Sequence, residues 1–204
     1  MKRVEKDTNE FTQAVDTALQ DLAARVLPAL VVVKSSRGRT GAGVIWRADG
    51  LIVTTYHVLG DHPPQVQLDD GRRLDAQVLA GDADIDLALL AVEAHDLSVL
   101  PCDEHLPRVG EMVFAFGHPW GQRGMVTHGV VSAHIQAETQ SRRSLTLLRS
   151  DVPLAPGSSG GPLVTAGGRL AGINNMIVGG DQSMSIPAGA VLEFVNEYLS
   201  KTPG

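Results

Sequence analysis

The run Pro156-Gly157-Ser158-Ser159-Gly160-Gly161-Pro162 places two hydroxyls in a glycine-rich turn. A serine hydroxyl is a poor nucleophile at neutral pH. To attack a carbonyl it needs an imidazole to take its proton, a carboxylate to orient that imidazole, and donors for the developing oxyanion. The glycines permit a sharp turn that pushes one side chain outward and lets a substrate carbonyl approach the backbone. In such a turn the N–H groups of Gly157 and Ser159 would converge in front of the hydroxyl. Ser158 and Ser159 compete for the role. Ser159 is preferred because Gly-Gly-Pro follows it directly and a glycine lies two residues before it. A plain Gly/Ser turn between strands has the same composition, so the run must be weighed with its partners.

A base is available at His57, at the end of the apolar run Leu51-Ile52-Val53-Thr54-Thr55-Tyr56-His57. A lone histidine at a strand end is usually a surface or satisfied core residue. Of the seven histidines, only His57 ends a long apolar strand preceded by a Gly-x-Gly strand, Gly41-Ala42-Gly43. A carboxylate is available at Asp86, directly before the apolar run Leu87-Ala88-Leu89-Leu90. An acid at such an edge loses solvation unless something pairs with it, and His57 can. Asp82 and Asp84 are assigned to a solvated loop. The order His57, Asp86, Ser159 is that of chymotrypsin, distinct from subtilisin and the α/β-hydrolases.

These residues need a scaffold, and the chain offers many short apolar runs broken by Gly, Pro and Asp. They cover 29–34, 43–46, 51–55, 66–68 and 87–92, then 112–116, 125–132, 145–149, 163–165 and 170–177. Frequent short strands with turn signals indicate an all-β sandwich or barrel. Phe11, Val15, Ala18, Leu22 and Val26 recur at helical spacing, with Asp7 or Thr8 as cap and Pro28 as terminator. Such a helix would lie on the core. A second amphipathic helix opens at Pro187, with Val191, Phe194, Val195, Tyr198 and Leu199 on one face. The strand pattern is interrupted between Leu100 and Gly110 by Pro101, Asp103 and Pro107. The expected division is therefore a helical segment 1–28, a first β half 29–106 holding His57 and Asp86, a second β half 107–187 holding Ser159, and 188–204 as helix and start of a linker. A cleft between two such halves is a natural site for chemistry.

Composition narrows the classes. With 204 residues, 43% of them hydrophobic but only 4% aromatic, the chain can bury a substantial aliphatic core. A net charge of -6, with no Lys/Arg block longer than two, argues against a nucleic-acid partner. The single cysteine, Cys102, excludes an intramolecular disulfide and reads as a small, half-buried apolar residue. The charged stretch Met1-Lys2-Arg3-Val4-Glu5-Lys6-Asp7 is not a signal peptide as written, and no run of 18 apolar residues suits a membrane span. The other six histidines show no metal-ligand spacing, and no metal or cofactor is expected.

Seven blocks in order resemble the HtrA, or DegP-like, branch of the trypsin-like serine proteases, over about Val26 to Leu199. Thr54-Thr55-Tyr56-His57-Val58 resembles the family's Thr-Asn-Ala-His-Val, and Asp86-Leu87-Ala88-Leu89-Leu90 its Asp-Leu-Ala-Val-Leu. Phe116-Gly117-His118-Pro119-Trp120-Gly121 resembles Ile-Gly-Asn-Pro-Phe-Gly, and Gly129-Val130-Val131-Ser132 resembles Gly-Ile-Val-Ser. Ser150-Asp151 through Pro162 resembles Thr-Asp-Ala-Ala-Ile-Asn-Pro-Gly-Asn-Ser-Gly-Gly-Pro. Gly172-Ile173-Asn174 and Ser185-Ile186-Pro187 complete the set. Ser158, Ala155 and His118 stand where the family has Asn, and Tyr56 where it has a small residue.

The resemblance implies two packed six-stranded antiparallel β-barrels with an N-terminal and a C-terminal helix. It implies a serine endopeptidase acting on unfolded or misfolded proteins through an acyl-enzyme. It also implies a specificity pocket lined by Leu154, Asn174, Met176, Ile177 and Val178, hence cleavage after small or medium aliphatic residues. Family members are commonly trimers built through the N-terminal segment, where Phe11 and its apolar stripe could serve. Where a signal or anchor has been removed, the resemblance suggests the bacterial cell envelope. The chain ends where the family usually continues into a PDZ domain. Two other readings stay open: a catalytically silent, chaperone-like binding module, and a small-molecule esterase using the same triad.

Overall fold

The computed structural model describes residues 2–35, 38–102 and 105–201, so Asp103 and the linker residues 202–204 lie outside it. Helix α1 spans Lys2–Val26 and is followed by a 3-10 turn, Leu27–Ala29, that carries Pro28. It begins before Asp7 and Thr8, which lie inside it and not at its start. Among its described side chains the last turns alone reach the core: Leu22 and Val26 are buried, while Phe11, Val15 and Leu19 are exposed. The expectation of a helix laid along the core therefore holds for its C-terminal end alone.

Seven strands follow: β1 Leu30–Lys34, β2 Thr40–Arg47, β3 Leu51–Thr54, β4 Gln65–Gln67, β5 Arg73–Asp75, β6 Gln77–Asp82 and β7 Leu87–Ala91. They form one antiparallel sheet in the order β5-β4-β1-β2-β3-β7-β6. Alternate side chains of a strand leave on opposite faces. Here both faces are covered, which is why the central strands read as continuous apolar runs instead of alternating ones. Val44, Val53, Leu87 and Leu89 point into one cluster, and Ile45, Ile52 and Leu90 into another.

Six more strands, β8 Met112–Gly117, β9 Met125–Glu138, β10 Ser144–Ser150, β11 Pro162–Thr165, β12 Leu170–Val178 and β13 Gln182–Pro187, close into a barrel in the order β10-β13-β12-β11-β8-β9. Closure removes the unpaired edges that an open sheet would expose. Helix α2, Ala188–Lys201, follows directly and buries Val191 and Val195. The all-β architecture with a helix at each end is as expected, except that the first half is a seven-stranded sheet where a six-stranded barrel was expected.

The largest cluster joins the two halves. Val44, Val53, Leu87 and Leu89 meet Phe114, Phe116, Val164, Ile173 and Ile186, with Leu22 and Val26 of α1 and Val191 and Val195 of α2. Each fully buried aliphatic side chain of this kind contributes on the order of 2 kcal/mol. The ends of β3 and β7 are thereby fixed against the barrel, and those ends carry the candidate site.

Candidate active site

His57 does not end a strand. β3 stops at Thr54, and a 3-10 turn, Tyr56–Val58, holds the imidazole half-exposed at the seam between the halves. β3 pairs Thr54 with Ala88 of β7, which brings the residue before β7 alongside this turn. That residue is Asp86. Its carboxylate accepts the His57 backbone N–H on Oδ1 at 2.8 Å and lies 2.7 Å from Nδ1 through Oδ2. The Tyr56 N–H donates to the Asp86 carbonyl at 3.2 Å. Both carboxylate oxygens and the carbonyl of Asp86 are thus engaged with Tyr56 and His57 at the start of the turn, which sets one imidazole orientation. With its proton on Nδ1 toward Asp86, the ring would leave Nε2 free to accept one.

Asp86 has φ +56°, a left-handed conformation unfavourable for a residue with a side chain. Asp82 helps to hold it. Its Oδ1 accepts the N–H groups of Asp84 at 2.9 Å and Ile85 at 3.3 Å, closing the turn that leads into Asp86. Asp82 and Asp84 are not free in solvent, as the sequence suggested. Arg143, on the β9–β10 hairpin of the barrel, reaches Asp82 Oδ2 at 2.7 Å and Asp84 Oδ2 at 3.2 Å.

Ser159 enters from the barrel on the turn between β10 and β11. Its carbonyl accepts the Ala42 N–H of β2 at 2.8 Å, which pins the turn to the first sheet. The next residue must be glycine. At φ +86°, a Cβ on Gly160 would stand 2.1 Å from the Ala42 carbonyl oxygen and 2.4 Å from Thr54 Oγ1. The two adjacent serines are distinguished by the fold. Ser158 is buried, with its hydroxyl turned back to accept from the Ala155 N–H, and Ser159 is half-buried. The Ser159 hydroxyl donates to the backbone carbonyl of Asn175 at 2.9 Å.

The backbone ahead of Ser159 is braced from the 3-10 turn Pro119–Gly121 and its preceding residue, directly after β8. The His118 N–H donates to the Gly157 carbonyl at 3.1 Å and the Trp120 N–H to the Pro156 carbonyl at 3.0 Å. Trp120 itself has φ +52° and a largely exposed indole. The Gly157 and Ser159 N–H groups donate to no other group among the described residues. Two such unspent donors flanking a hydroxyl suit a developing oxyanion. His118 is buried beneath this brace, and Gly124 N–H donates to its Nδ1 at 3.2 Å. Burial, then the nearby Arg123 charge, lower its pKa to about 4, with the Val31 backbone opposing.

One cleft is lined by Tyr56, His57, Asp86, Ser159, Leu154 and Met176, among others. Ile177 joins that wall. Val178 and Asn174 do not: Val178 lies beyond it on β12, and Asn174 is wholly buried, donating to the Phe116 and Pro162 carbonyls at 3.3 and 3.1 Å. Asp151 is kept out as well, since its Oδ1 accepts the Val130 N–H at 2.6 Å.

Asn175 was missed in the sequence. It is buried, and its Nδ2 donates to Asp86 Oδ2 at 2.9 Å. The only local hint was its adjacency to Asn174, within a segment read for its apolar side chains.

The chain was compared with known proteins. Residues 41–173 match the family model described as a trypsin-like peptidase domain. A probable periplasmic serine endoprotease DegP-like of Hahella chejuensis is 39% identical over 165 residues, covering 78% of this chain and 35% of that protein. The mitochondrial serine protease HTRA2 of Drosophila erecta is 35% identical over 168 residues, covering 79% of this chain and 40% of that protein. The crystal structure of a serine endoprotease from Yersinia pestis superposes with a TM-score of 0.79 at 29% identity, covering 88% of this chain and 66% of that one. The chain spans little more than a third of the length of the curated relatives it matches. It belongs to the trypsin-like peptidase family, in its HtrA/DegP-like branch.

Proposed function

We propose that the protein is a serine endopeptidase that cleaves unfolded polypeptides after small or medium aliphatic residues. The observation that carries this reading is the 2.7 Å contact of His57 Nδ1 with Asp86 in the cleft that also holds Ser159. In the mechanism, Ser159 Oγ attacks the scissile carbonyl while His57 Nε2 takes its proton. The carbonyl oxygen becomes an oxyanion facing the Gly157 and Ser159 N–H groups. The imidazolium, stabilised by Asp86, then gives the proton to the departing amine, leaving an acyl-serine. Water attacks that ester with His57 again as base, and Ser159 is regenerated. The aliphatic preference is supported by Leu154, Met176 and Ile177 on the cleft wall and by the diversion of Asp151 to backbone.

The test is digestion of an unfolded protein by the wild type and by Ser159→Ala, with the cut sites mapped. Removing one member of such a triad should lower turnover by roughly 10⁴-fold or more. Cuts should follow Val, Ala, Leu or Ile. Rapid cleavage of an Arg ester with little turnover of Val or Leu peptides would overturn the pocket assignment.

A second reading, a binding module that holds unfolded chains, draws on the Ser159 hydroxyl donating to Asn175 instead of to His57. Absence of fluorophosphonate labelling under all conditions would favour it over the enzyme.

A further inference from the structure

The turn that carries Asp86 contains three carboxylates in five residues, Asp82, Asp84 and Asp86. Only Ile85 among its members packs against the core. Left alone, such a segment has mutual repulsion and little burial to hold it, and it must also maintain Asp86 at φ +56°. Strained conformations of this kind persist only where the surroundings over-determine them.

The surroundings here come from the other half of the molecule. Beyond the Asp82 and Asp84 contacts of its Nη2, Arg143 brings Nε to 3.4 Å from Asp84 Oδ2. The Ser141 hydroxyl donates to Asp84 Oδ2, and its N–H approaches Asp84 Oδ1 at 3.3 Å. The hairpin tip is itself tied. Thr139 and Arg143 exchange backbone N–H to carbonyl and N–H to hydroxyl bonds at 2.9 Å, and Arg142 takes a left-handed conformation at φ +61°. The guanidinium thus spans two carboxylates, Nη2 meeting both and Nε adding a second contact to Asp84 in a fixed planar arrangement that a single ammonium lacks.

We infer that Arg143, with Ser141, is a positioning residue. The β9–β10 hairpin clasps the 82–86 turn and so sets the Asp86 carboxylate that aligns His57. The inference rests on the triad reading given above. It assigns the barrel a share in the part of the site that the first sheet carries. The charges fit this role. Asp84 is held well below the usual carboxylate range, chiefly by the Ser141 hydroxyl, with burial opposing and Arg143 reinforcing. Burial of Asp82 would raise its pKa, but the Arg143 hydrogen bond and the amides of Asp84 and Ile85 outweigh that and lower it. Both carboxylates therefore remain ionised partners of Arg143 at neutral pH.

The experiment uses the full chain as wild type, Arg143→Ala, Arg143→Lys, Asp84→Asn, Ser141→Ala and the double variant Arg143→Ala/Asp84→Asn. Peptide hydrolysis gives kcat and KM. Proton NMR follows the far-downfield resonance of the His57 Nδ1–H bonded to Asp86, which a change in overall stability alone would not move. Arg143→Ala should lower kcat roughly 10- to 100-fold with KM little changed, since small misplacements of reacting groups cost that much. The downfield resonance should broaden or disappear. Arg143→Lys should recover part of both, and the double variant should be no worse than the worse single one. If Arg143→Ala does not fold, Arg143→Lys and Ser141→Ala must show the same direction with a smaller amplitude. Unchanged kcat and an unchanged downfield resonance across the variants, whatever the melting temperature does, would overturn the clasp. Should the wild type neither hydrolyse peptides nor react with a fluorophosphonate, the protease reading fails. The resonance comparison still decides whether Arg143 positions Asp86.

Discussion

The hydroxyl of Ser159 donates to the backbone carbonyl of Asn175 at 2.9 Å, and the side chain of that same Asn175 donates to Asp86 Oδ2 at 2.9 Å. One residue of β12 therefore touches the candidate nucleophile with its main chain and the orienting carboxylate with its side chain. The two contacts are separable by mutation. The carbonyl survives any substitution, whereas the amide does not.

Asn175→Ala removes a donor from the partly buried carboxylate of Asp86. Hydrogen bonds to charged groups are worth about 1.5–3 kcal/mol, so kcat should fall roughly 10- to 100-fold. Asn175→Asp should be worse than Ala at neutral pH, because it sets a second carboxylate where the first had a donor. Asn175→Thr should recover activity in part through its hydroxyl. Steady-state hydrolysis of a Val or Leu peptide by the three variants checks the order. Equal activity of Ala and Asp variants would deny Asn175 any electrostatic contact with the site.

Gly157 offers a test of the oxyanion assignment. Its φ is +104°, and a Cβ there would stand 2.4 Å from the His118 carbonyl oxygen. Gly157→Ala must shift the turn, misplacing a donor whose loss typically lowers turnover about 10²- to 10³-fold. The Ala42–Ser159 and Asn174–Gly161 pairings lie beyond the displaced peptide, so the barrel should stay folded. The expected pattern is a large loss in kcat beside a melting temperature lowered by only a few degrees. Retained turnover would place the oxyanion donors elsewhere.

The strands that the sequence revealed are those whose faces are both buried. β3 and β7 read as unbroken apolar runs because each face meets a different core cluster. β5 and β6 escaped because they lie at the two edges of the sheet and are largely polar or half-exposed. β13 escaped for another reason. Its buried Ser183 and Ser185 look like loop residues, yet they are satisfied by Ser150 and Asn174 on the two strands paired with it. The candidate site followed the same division. His57, Asp86 and Ser159 were legible from residue type and local setting. Arg143 and Asn175 reach the 82–86 turn from 61 and 89 residues away in sequence, and beyond the adjacency of Asn175 to Asn174 nothing local announces them. Asp82 and Asp84 looked like solvated loop acids for the same reason: their partner was out of view.

The N-terminal helix gives a prediction about assembly. Phe11 is 70% exposed, and Val15 and Leu19 follow on the same face at about 40%. We infer that this face joins copies of the chain. Phe11→Ser with Val15→Ser should shift sedimentation of the protein to the monomer without lowering its melting temperature below that of a monomer. A wild type that sediments as a monomer at every accessible concentration would rule the assembly out.

His118 gives a pH dependence with a definite sign. The ring is buried and neutral, with its pKa depressed from about 6.5 to about 4. In the unfolded chain the same residue titrates near its ordinary value. Between these limits the unfolded state binds more protons than the native one, so stability rises with pH. The contribution is complete above pH 6.5 and is lost as pH falls toward 4, with a slope of at most about 1.4 kcal/mol per pH unit from this one group. The Gly157 brace starts at the His118 N–H, so charging the ring should loosen the turn before Ser159 as well. The measurement is urea unfolding of the wild type and His118→Asn at pH 7 and pH 5. Other groups titrate alike in both proteins, so their difference isolates His118. The wild type should lose more stability on acidification than His118→Asn. An equal loss in the two would mean that the imidazole is protonated in place without cost, and that the brace does not depend on its neutrality.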